Sequence, residues 1–226
     1  MEKHSKIIGI IGGTGSLGSG LALRWLAAGH TILVGSRNQA KASAMVAEIT
    51  AKSDVKPITG VTNAEAATRG EIIVLTVPFA AHQTTLEEIY EHVQGKVVLD
   101  TTVPLKPPRV ARVSLPERGS AAAMTQDYLG EHVSVVSALH TVSAAHLSNL
   151  DHKLNGHVLI CGNQKTSRQT IADLIEDLGL KGWHGGAIEN SAASEALTSA
   201  MIFMNKYYDF DGAGIQIISE GQRSKS

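Results

Sequence analysis

The feature that most constrains the fold of this sequence is a glycine pattern close to its start. Gly13, Gly15 and Gly18 fit Gly-x-Gly-x-x-Gly between an apolar run at residues 7–11 and a segment of helical period. In a strand-turn-helix unit, the first glycine permits a tight turn, the second lets the backbone approach a pyrophosphate, and the third lets the helix pack against the strand. The helix N-terminus then faces the anion. We therefore predict a dinucleotide site, with a glycine-rich turn that binds nothing as the alternative. The motif consists of Gly13, Thr14, Gly15, Ser16, Leu17 and Gly18.

Short β-branched runs alternate with longer segments of helical period along the whole chain. Near-continuous apolar strands are typical of a parallel sheet that helices cover on both faces. The pattern therefore predicts an α/β fold, a Rossmann-type doubly wound parallel sheet with a smaller C-terminal helical and αβ region. The predicted strands are residues 7–11, 31–34, 72–77, 96–99, 133–138 and 157–160, and the predicted helices are residues 17–28, 39–50, 81–93, 165–178 and 188–208.

The length of the chain suits one hydrophobic core with an appendage. It has 226 residues, 43% of them hydrophobic, which is too short for two large domains. Residues 101–119 contain four prolines without a clear period, which predicts a surface loop. We divide the chain there, into a nucleotide-binding Rossmann domain at residues 1–119 and a substrate-covering region at residues 120–226 that packs on it.

The end of the second predicted strand indicates which dinucleotide binds. A site for NAD has an acidic residue there, which accepts hydrogen bonds from the ribose 2′-hydroxyl. This sequence instead has Ser36 and Arg37, with Lys41 one helical turn further on. Two cations and a hydroxyl suit a 2′-phosphate, and an arginine can also stack on adenine. We predict NADP(H) rather than NAD(H); the alternative is that Arg37 and Lys41 form a solvated helix face.

The composition excludes several other classes of function. Twenty Lys and Arg against 21 Asp and Glu give a net charge of -1, so no strong field favours nucleic acid or an anionic membrane. Aromatic residues make up 4% of the chain, too few for a platform that stacks single-stranded nucleic acid. The single cysteine, Cys161, follows an apolar strand and is predicted to lie in the core. The ten histidines show no metal-ligand spacing, so we predict no metal.

The apolar segments are too short or too polar for a targeting or membrane role. The five residues 7–11 that precede the glycines cannot form the core of a signal peptide. The longest stretch without a formal charge, residues 132–150, carries histidines and serines that a membrane span does not tolerate. We therefore expect a cytoplasmic protein without a membrane partner.

Several segments together resemble the F420-dependent NADP reductases, which pass a hydride between NADP(H) and the deazaflavin coenzyme F420. The resemblance covers nearly the whole chain, and VSALHT is its most distinctive piece. It implies a Rossmann domain with a smaller C-terminal region over the cleft, an NADP-dependent oxidoreductase activity, and a homo-oligomer. The matching segments are IIGGTGSLGSGLALRWLAAGH at residues 10–30, VGSR at residues 34–37, LTVP at residues 75–78, VSALHT at residues 136–141 and GAGI at residues 212–215.

The resemblance also implies roles for individual residues, none of them a proton-transferring catalytic side chain. Hydride transfer between two stacked rings depends mostly on positioning. Accordingly, no tyrosine of this chain is followed four residues later by lysine, as in short-chain dehydrogenases. The positions implied for NADP(H) are Thr14, Ser36, Arg37 and Lys41 at the phosphates with Thr76, Val77 and Pro78 beside the nicotinamide, and those implied for the deazaflavin are His140 and Thr198.

Two other functions stay open at this point. The family pattern has arginine where this chain has Ala192 and serine where it has Ala196. These two changes would suit an NADPH-dependent reductase of another flavin or of a small metabolite. A module that senses NADPH without catalysis is the second alternative. His140, taken without the resemblance, could contact substrate or be a buried histidine that the backbone satisfies.

Overall fold

The computed structural model describes residues 5–52 and 57–221. This part of the chain forms one sheet of eight strands, in the order β3-β2-β1-β4-β5-β6-β7-β8. The strands are β1 (Ile7–Ile11), β2 (Thr31–Ser36), β3 (Ile58–Thr62), β4 (Ile72–Leu75), β5 (Val97–Asp100), β6 (Ser134–Ser137), β7 (His157–Gly162) and β8 (Lys181–Gly186). The helices are α1 (Ser16–Ala27), α2 (Gln39–Lys52), α3 (Asn63–Arg69), α4 (His82–Ile89), α5 (Ala121–Leu129), α6 (Ala144–Leu147), α7 (Lys165–Asp177) and α8 (Ser191–Tyr208).

The first six strands are parallel, and the strand order reverses at β1. β1 pairs with β2 on one side and with β4 on the other. In such sheets the crevice outside the carboxyl ends of the strands, at the point of reversal, receives ligands. The predicted fold class is confirmed. The predicted alternation of strands and helices continues to β8, but β7 pairs antiparallel with β6 and β8 pairs parallel with β7, so these two strands run opposite to the first six.

Apolar side chains form a core on each face of the sheet. Ile8 and Ile10 of β1 pack with Trp25 of α1 on one face, and Ile11 lies in the cluster on the other face. This alternation follows from the two-residue period of a strand. The indole Nε1 of Trp25 donates to the carbonyl of Leu174 at 2.9 Å, which joins α1 to α7. Both faces of β1 are therefore covered, and its carboxyl end is fixed in place.

The elements that the sequence pattern missed are short or half-exposed. β8 is the edge strand KGWHGG, whose glycines and charge hide a strand signal. β3 alternates exposed and covered residues at the other edge, and α3 has seven residues. α5 and α6 were also missed. The predicted helix at residues 81–93 is α4 flanked by two 3-10 turns, at residues 79–81 and 90–92.

The predicted surface loop is confirmed, since no strand or helix occurs between β5 and α5. The sheet nevertheless continues across this loop, because β5 and β6 pair in parallel over four residues. The proposed boundary at residue 119 therefore separates strands of one sheet, and the division into two regions stays a prediction.

The single cysteine of the chain lies in the core. Cys161 is buried, as predicted, and burial raises the pKa of its thiol to about 11. Within residues 5–52 and 57–221, no helix has both the length and the apolar character needed to cross a membrane. In the same ranges, no three His, Cys, Asp or Glu side chains are grouped so that they could hold a metal ion.

Arg24 of α1 is a buried cation that organises the chain after α6. Its guanidinium donates to the carbonyls of His146, Leu147, Asn149 and His152 at distances between 2.6 and 3.0 Å. Burial lowers the pKa of Arg24, but these four acceptors compensate the buried charge. Four carbonyls of the segment at residues 146–152 therefore share one charged donor.

We expect Arg24→Met to lower the free energy of unfolding by about 2–4 kcal/mol, because four carbonyls lose a charged donor. Urea denaturation monitored by circular dichroism measures this change. Arg69→Met is the matched control, because Arg69 forms an exposed ion pair with Glu65 within α3. Loss of this pair should change the free energy of unfolding by less than about 0.5 kcal/mol. Equal effects of the two substitutions would contradict the role of Arg24.

Candidate functional site

The turn after β1 has its special backbone geometry one residue earlier than the glycine pattern suggests. Gly12 has φ of +72°, a conformation that favours glycine, and a Cβ there would lie 2.6 Å from Cγ1 of Val77. Gly13, to which we assigned the tight turn, is restricted instead by space, because a Cβ would lie 2.9 Å from the carbonyl of Ile10. The two glycines together turn the chain from β1 into α1.

Of the other two glycines of the motif, Gly18 has the packing role predicted for it, and Gly15 has the open surroundings that its predicted role requires. A Cβ at Gly18 would lie 2.7 Å from the Cα of Gly13 and 2.7 Å from Oγ1 of Thr76, so the helix packs directly on the turn. At Gly15 the nearest atom to a Cβ is the carbonyl of Gly12, 3.6 Å away. The backbone at Gly15 is therefore open toward the space where a ligand can approach.

The N-terminus of α1 has no cap from the protein. Gly15 is the N-cap residue, it offers no side chain, and the first turn contains no acidic residue. The first amides of a helix need acceptors, and they carry a partial positive charge. This end of α1 is thus suited to an anion, as the motif predicts.

The predicted nucleotide residues meet at a cavity of about 530 Å³ outside the carboxyl ends of the strands. Four motif residues, Gly13, Ser16, Leu17 and Gly18, do not line it and instead form the turn and the first helical turn beneath it. The predicted residues that line the cavity are Thr14, Gly15, Ser36, Arg37, Lys41, Thr76, Val77 and Pro78, and the residues that sequence reasoning missed are Gly12, Asn38, Asn63, Ala81 and Thr85.

The basic end of the cavity keeps its charges free for a ligand. Ser36 is buried, and its Oγ accepts from the backbone N–H of Asn38 at 3.1 Å, which fixes the turn after β2. Arg37 and Lys41 are exposed. Within the described ranges neither forms an ion pair with an acidic side chain. The three residues can therefore contact one phosphate without breaking an existing pair.

Asn63 supports the glycine turn from the side. Its Oδ1 accepts from the amide of Gly12 at 3.2 Å, and its Nδ2 donates to Glu88 at 3.0 Å. Asn63 begins α3 directly after β3, so its position at a strand end was the available signal. That signal was hidden because the edge strand itself was not predicted.

The end of β4 is anchored to the end of β1. Thr76 donates to the carbonyl of Ile11 from its amide at 3.0 Å and from its Oγ1 at 2.9 Å. Residues 76–78 follow this anchor and line the cavity at the point where the strand order reverses. Their position is therefore as rigid as the sheet.

His140 lies in a separate, buried cluster with α8. The backbone turns into it through Leu139, a non-glycine residue with φ of +70°. Its Nδ1 lies 3.1 Å from Oγ of Ser194, and its carbonyl accepts from Oγ1 of Thr198 at 3.1 Å. Burial lowers the pKa of His140 to about 4, so the ring is neutral near pH 7. The Nε2 atom is buried and has no partner among the described residues, so it has hydrogen-bonding capacity left for a ligand.

A second cavity, of about 240 Å³, begins at the residues that follow His140. Residues 141–143, which begin at the last residue of VSALHT, and residues 212–215, the GAGI segment, both line this cavity. His146, which also lines it, stacks on His152 with ring centroids 4.2 Å apart. Thr198 and His140 are in contact through the hydrogen bond to the His140 carbonyl, as expected. The predicted nucleotide residues line a different cavity.

Sequence reasoning also missed a buried carboxylate on α8. Both oxygens of Glu195 accept backbone amides at the start of α5, from Ala121 at 2.7 Å and from Ala122 at 3.1 Å. Burial raises the pKa of Glu195 to about 8, although these two hydrogen bonds act in the opposite direction. Glu195 thus ties α8 to α5 across 74 residues of sequence, a pairing that no local pattern indicates.

We expect the stability of this protein to fall as the pH rises from about 6.5 to about 8 because of Glu195. In this window the unfolded chain has released the proton of Glu195 and the folded chain retains it. The slope from one such group is at most about 1.4 kcal/mol per pH unit. The lowered pKa of His140 makes stability depend on pH only below about pH 6.5, where its contribution to the slope has the opposite sign.

The measurement is urea denaturation at several pH values, with Glu195→Gln for comparison. The difference in free energy of unfolding between this protein and the variant should shrink between pH 6.5 and pH 8. A difference that stays constant across this range would refute the assignment.

The chain is similar to known proteins over most of its length. Residues 7–104 match the family model described as NADP oxidoreductase coenzyme F420-dependent. The F420-dependent NADP reductase of Methanocaldococcus jannaschii is 35% identical over 93% of this chain and 97% of its own length. The chain belongs to this family. The resemblance read from the sequence is thereby confirmed.

A second relative supports the same family, and a solved structure shares the fold. The F420-dependent NADP reductase of Methanothermobacter thermautotrophicus is 34% identical over 93% of this chain and 94% of its own length. A solved structure from Arthrobacter sp. FB24, assigned provisionally as an F420-dependent NADP reductase, superposes with a TM-score of 0.81 at 22% identity. It covers 96% of this chain and 100% of its own, and at that identity it shows the shared fold alone.

Proposed function

We propose that this member of the F420-dependent NADP oxidoreductase family transfers a hydride between NADP(H) and the deazaflavin coenzyme F420. The observation that carries the proposal is the cavity at the switch point of the sheet. It brings Ser36, Arg37 and Lys41 together with Gly15 and the end of β4. The acceptor comes from the names of the relatives that match nearly the whole chain.

The residues of the cavity suit the chemical groups of NADP(H). Arg37, Lys41 and Ser36 would hold the 2′-phosphate, and the open backbone at Gly15 with the uncapped N-terminus of α1 would receive the pyrophosphate. Residues 76–78 would flank the nicotinamide at the anchored end of β4. When bound, NADP(H) supplies the hydride, and the side chains of this chain bind and orient it.

The acceptor site in this proposal is centred on His140 and Thr198, and the second cavity begins at the next residue, Thr141. The unpartnered Nε2 of His140 offers a hydrogen bond to the acceptor, and Thr198 holds the His140 backbone. A neutral imidazole can orient a polar ring edge but is not a strong proton donor near pH 7. Positioning of the two rings is therefore the main contribution of the protein to catalysis.

We expect NADPH oxidation with the deazaflavin to exceed oxidation with FMN or riboflavin, measured by absorbance in parallel reactions. His140→Ala should raise KM for the deazaflavin while the Kd for NADPH stays within about twofold, because His140 lies outside the nucleotide cavity. His132→Ala removes an exposed histidine that lines neither cavity, so it is the matched control and should change neither constant. Brisk turnover of FMN without deazaflavin turnover would refute the proposal and favour a reductase of another flavin.

The positions of Ala192 and Ala196 on α8 give this alternative a specific test. Both are half-buried on the helix that contacts His140. The double variant Ala192→Arg, Ala196→Ser restores the family pattern, so it should lower KM for the deazaflavin if that ring already binds here. Activity that appears only in the double variant would indicate that this chain uses another acceptor. Binding of NADPH without turnover of any acceptor would favour the sensing module.

A homodimer and a cytoplasmic location are part of the same proposal. The end of α8 and the residues after it expose aromatic side chains that stack on one another, Phe203, Tyr207, Tyr208 and Phe210. An exposed aromatic surface of this kind is typical of a contact with a second subunit. Light scattering during gel filtration should show a dimer, and Tyr207→Lys should shift it toward monomer. A monomeric wild-type protein would overturn this part.

A further inference from the structure

A buried carboxylate ends β5 beside the nucleotide cavity. Asp100 is 0% exposed, although the rest of β5 is apolar. Its Oδ2 accepts from Nε2 of His82 at 3.0 Å and from Oγ1 of Thr125 at 2.5 Å, and its Oδ1 accepts from the amide of Thr102 at 2.8 Å. Burial raises the pKa of Asp100, but the hydrogen bonds that the carboxylate accepts from His82, Thr125 and Thr102 act in the opposite direction, and the pKa lies below its ordinary value. The carboxylate is therefore ionised in the folded protein.

The carboxylate lies between the two candidate sites. His82 begins α4 directly after Ala81, and Ala81 and Thr85 on the same turns line the nucleotide cavity. Asp100 also pairs in register with Leu75, the residue before the strand end that we place beside the nicotinamide. On the other side, the charge of Asp100 acts on buried His140. Asp100 is therefore adjacent to elements of both candidate sites.

The contacts of His82 indicate that it does not cancel this charge. Its Nε2 faces Asp100, while its Nδ1 is buried and has no partner among the described residues. A protonated ring would place an N–H at Nδ1 without an acceptor, which is unfavourable in a buried site. A neutral ring with its proton on Nε2 donates to Asp100 and leaves only a lone pair at Nδ1. The pair then carries a net charge of about minus one.

The neighbouring titratable groups do not compensate the charge either. Burial lowers the pKa of His140 to about 4 and raises that of Glu195 to about 8, so both are neutral near pH 7. The guanidinium of buried Arg24 donates to the backbone carbonyls of residues 146–152 and not to Asp100. Asp100 is thus the ionised group of this cluster.

We propose that Asp100 is a fixed negative charge that favours the cationic, oxidised nicotinamide over the neutral, reduced one at this site. The inference rests on the NADP(H) part of the proposed function and is independent of the acceptor. A buried carboxylate is less favourable for folding than an apolar residue of similar size. We therefore assign Asp100 an electrostatic role rather than a role in stability. Asp100 stabilises the positive charge that hydride donation leaves on the ring, so it assists reduction of the acceptor.

The test compares the Kd of NADP⁺ with the Kd of NADPH by calorimetry at pH 7, without any acceptor. Asp100→Asn removes the charge and keeps the shape. Its Oδ1 can still accept from the amide of Thr102 and its Nδ2 can donate to Oγ1 of Thr125, while the second N–H of the amide faces Nε2 of His82, so the fold of this variant is checked separately. The ratio of the Kd for NADP⁺ to the Kd for NADPH should rise on the order of tenfold, as expected for the loss of one nearby charge at an effective dielectric constant of about 20.

A second variant and a control separate this effect from a structural one. Asp100→Ser also removes the charge and can accept from the Thr102 amide, so it should shift the ratio in the same direction even where Asp100→Asn folds poorly. Asp127→Asn makes the same substitution at an exposed site on α5 and should leave the ratio unchanged. Circular dichroism reports folding in each case.

The outcomes distinguish this inference from the proposed function. A ratio within twofold of the wild type in folded Asp100 variants would overturn the electrostatic role. A parallel rise of both Kd values would also overturn it, since that is the result of a structural role alone. Failure of the wild-type protein to bind either nucleotide would overturn the proposed function, and this inference with it.

Discussion

Gly15→Val should raise the Kd for NADPH by at least about 100-fold while the protein stays folded, because its side chain would occupy the space of the pyrophosphate. The folded chain leaves room for this change. A Cβ at Gly15 has the carbonyl of Gly12 at 3.6 Å as its nearest neighbour, and the backbone at φ of -78° and ψ of 166° is acceptable to valine. Fluorescence titration with NADPH measures the binding, and circular dichroism measures the fold.

Two other substitutions serve as comparisons for Gly15→Val. Gly15→Ala should have a smaller effect on binding, since its side chain is shorter. Gly18→Val should instead destabilise the protein, because a Cβ there would lie 2.7 Å from the Cα of Gly13. Normal NADPH affinity in Gly15→Val would show that the glycine turn is structural and that the nucleotide site is elsewhere.

The wild-type protein should bind NADP(H) at least tenfold more tightly than NAD(H), about 1.4 kcal/mol, and Arg37→Glu should abolish this preference. The glutamate would repel the 2′-phosphate and could accept hydrogen bonds from a ribose 2′-hydroxyl. Calorimetric titration with both nucleotides gives the ratio of Kd values. The wild-type preference should decrease as the salt concentration rises, because part of it is Coulombic.

The control for this charge reversal is Arg112→Glu, which changes an exposed arginine in the loop at residues 101–119. It should leave the preference for NADP(H) unchanged. Equal affinity of the wild-type protein for both nucleotides would refute the assignment of Ser36, Arg37 and Lys41 to the 2′-phosphate.

The sequence predicted the parts of the site that depend on short stretches of chain. The glycine turn, the basic residues after β2 and the end of β4 each follow a strand of the sheet, and parallel strands bring their carboxyl ends to one edge. Eight predicted residues therefore meet at one cavity. Gly12 and Asn63 were missed, the first because the pattern fixes spacing but not φ, and the second because β3 is a half-exposed edge strand.

By itself, the sequence determined the α/β fold class, the glycine motif and the preference for a 2′-phosphate, because strand period, helix period and local charge are properties of neighbouring residues. Only the tertiary structure decided the environment of the buried polar groups. Asp100 contacts His82 and Thr125, 18 and 25 residues away, and Glu195 contacts the start of α5, 74 residues away. The protonation of these groups depends on desolvation and on distant partners, which exist once the sheet and its helices have assembled.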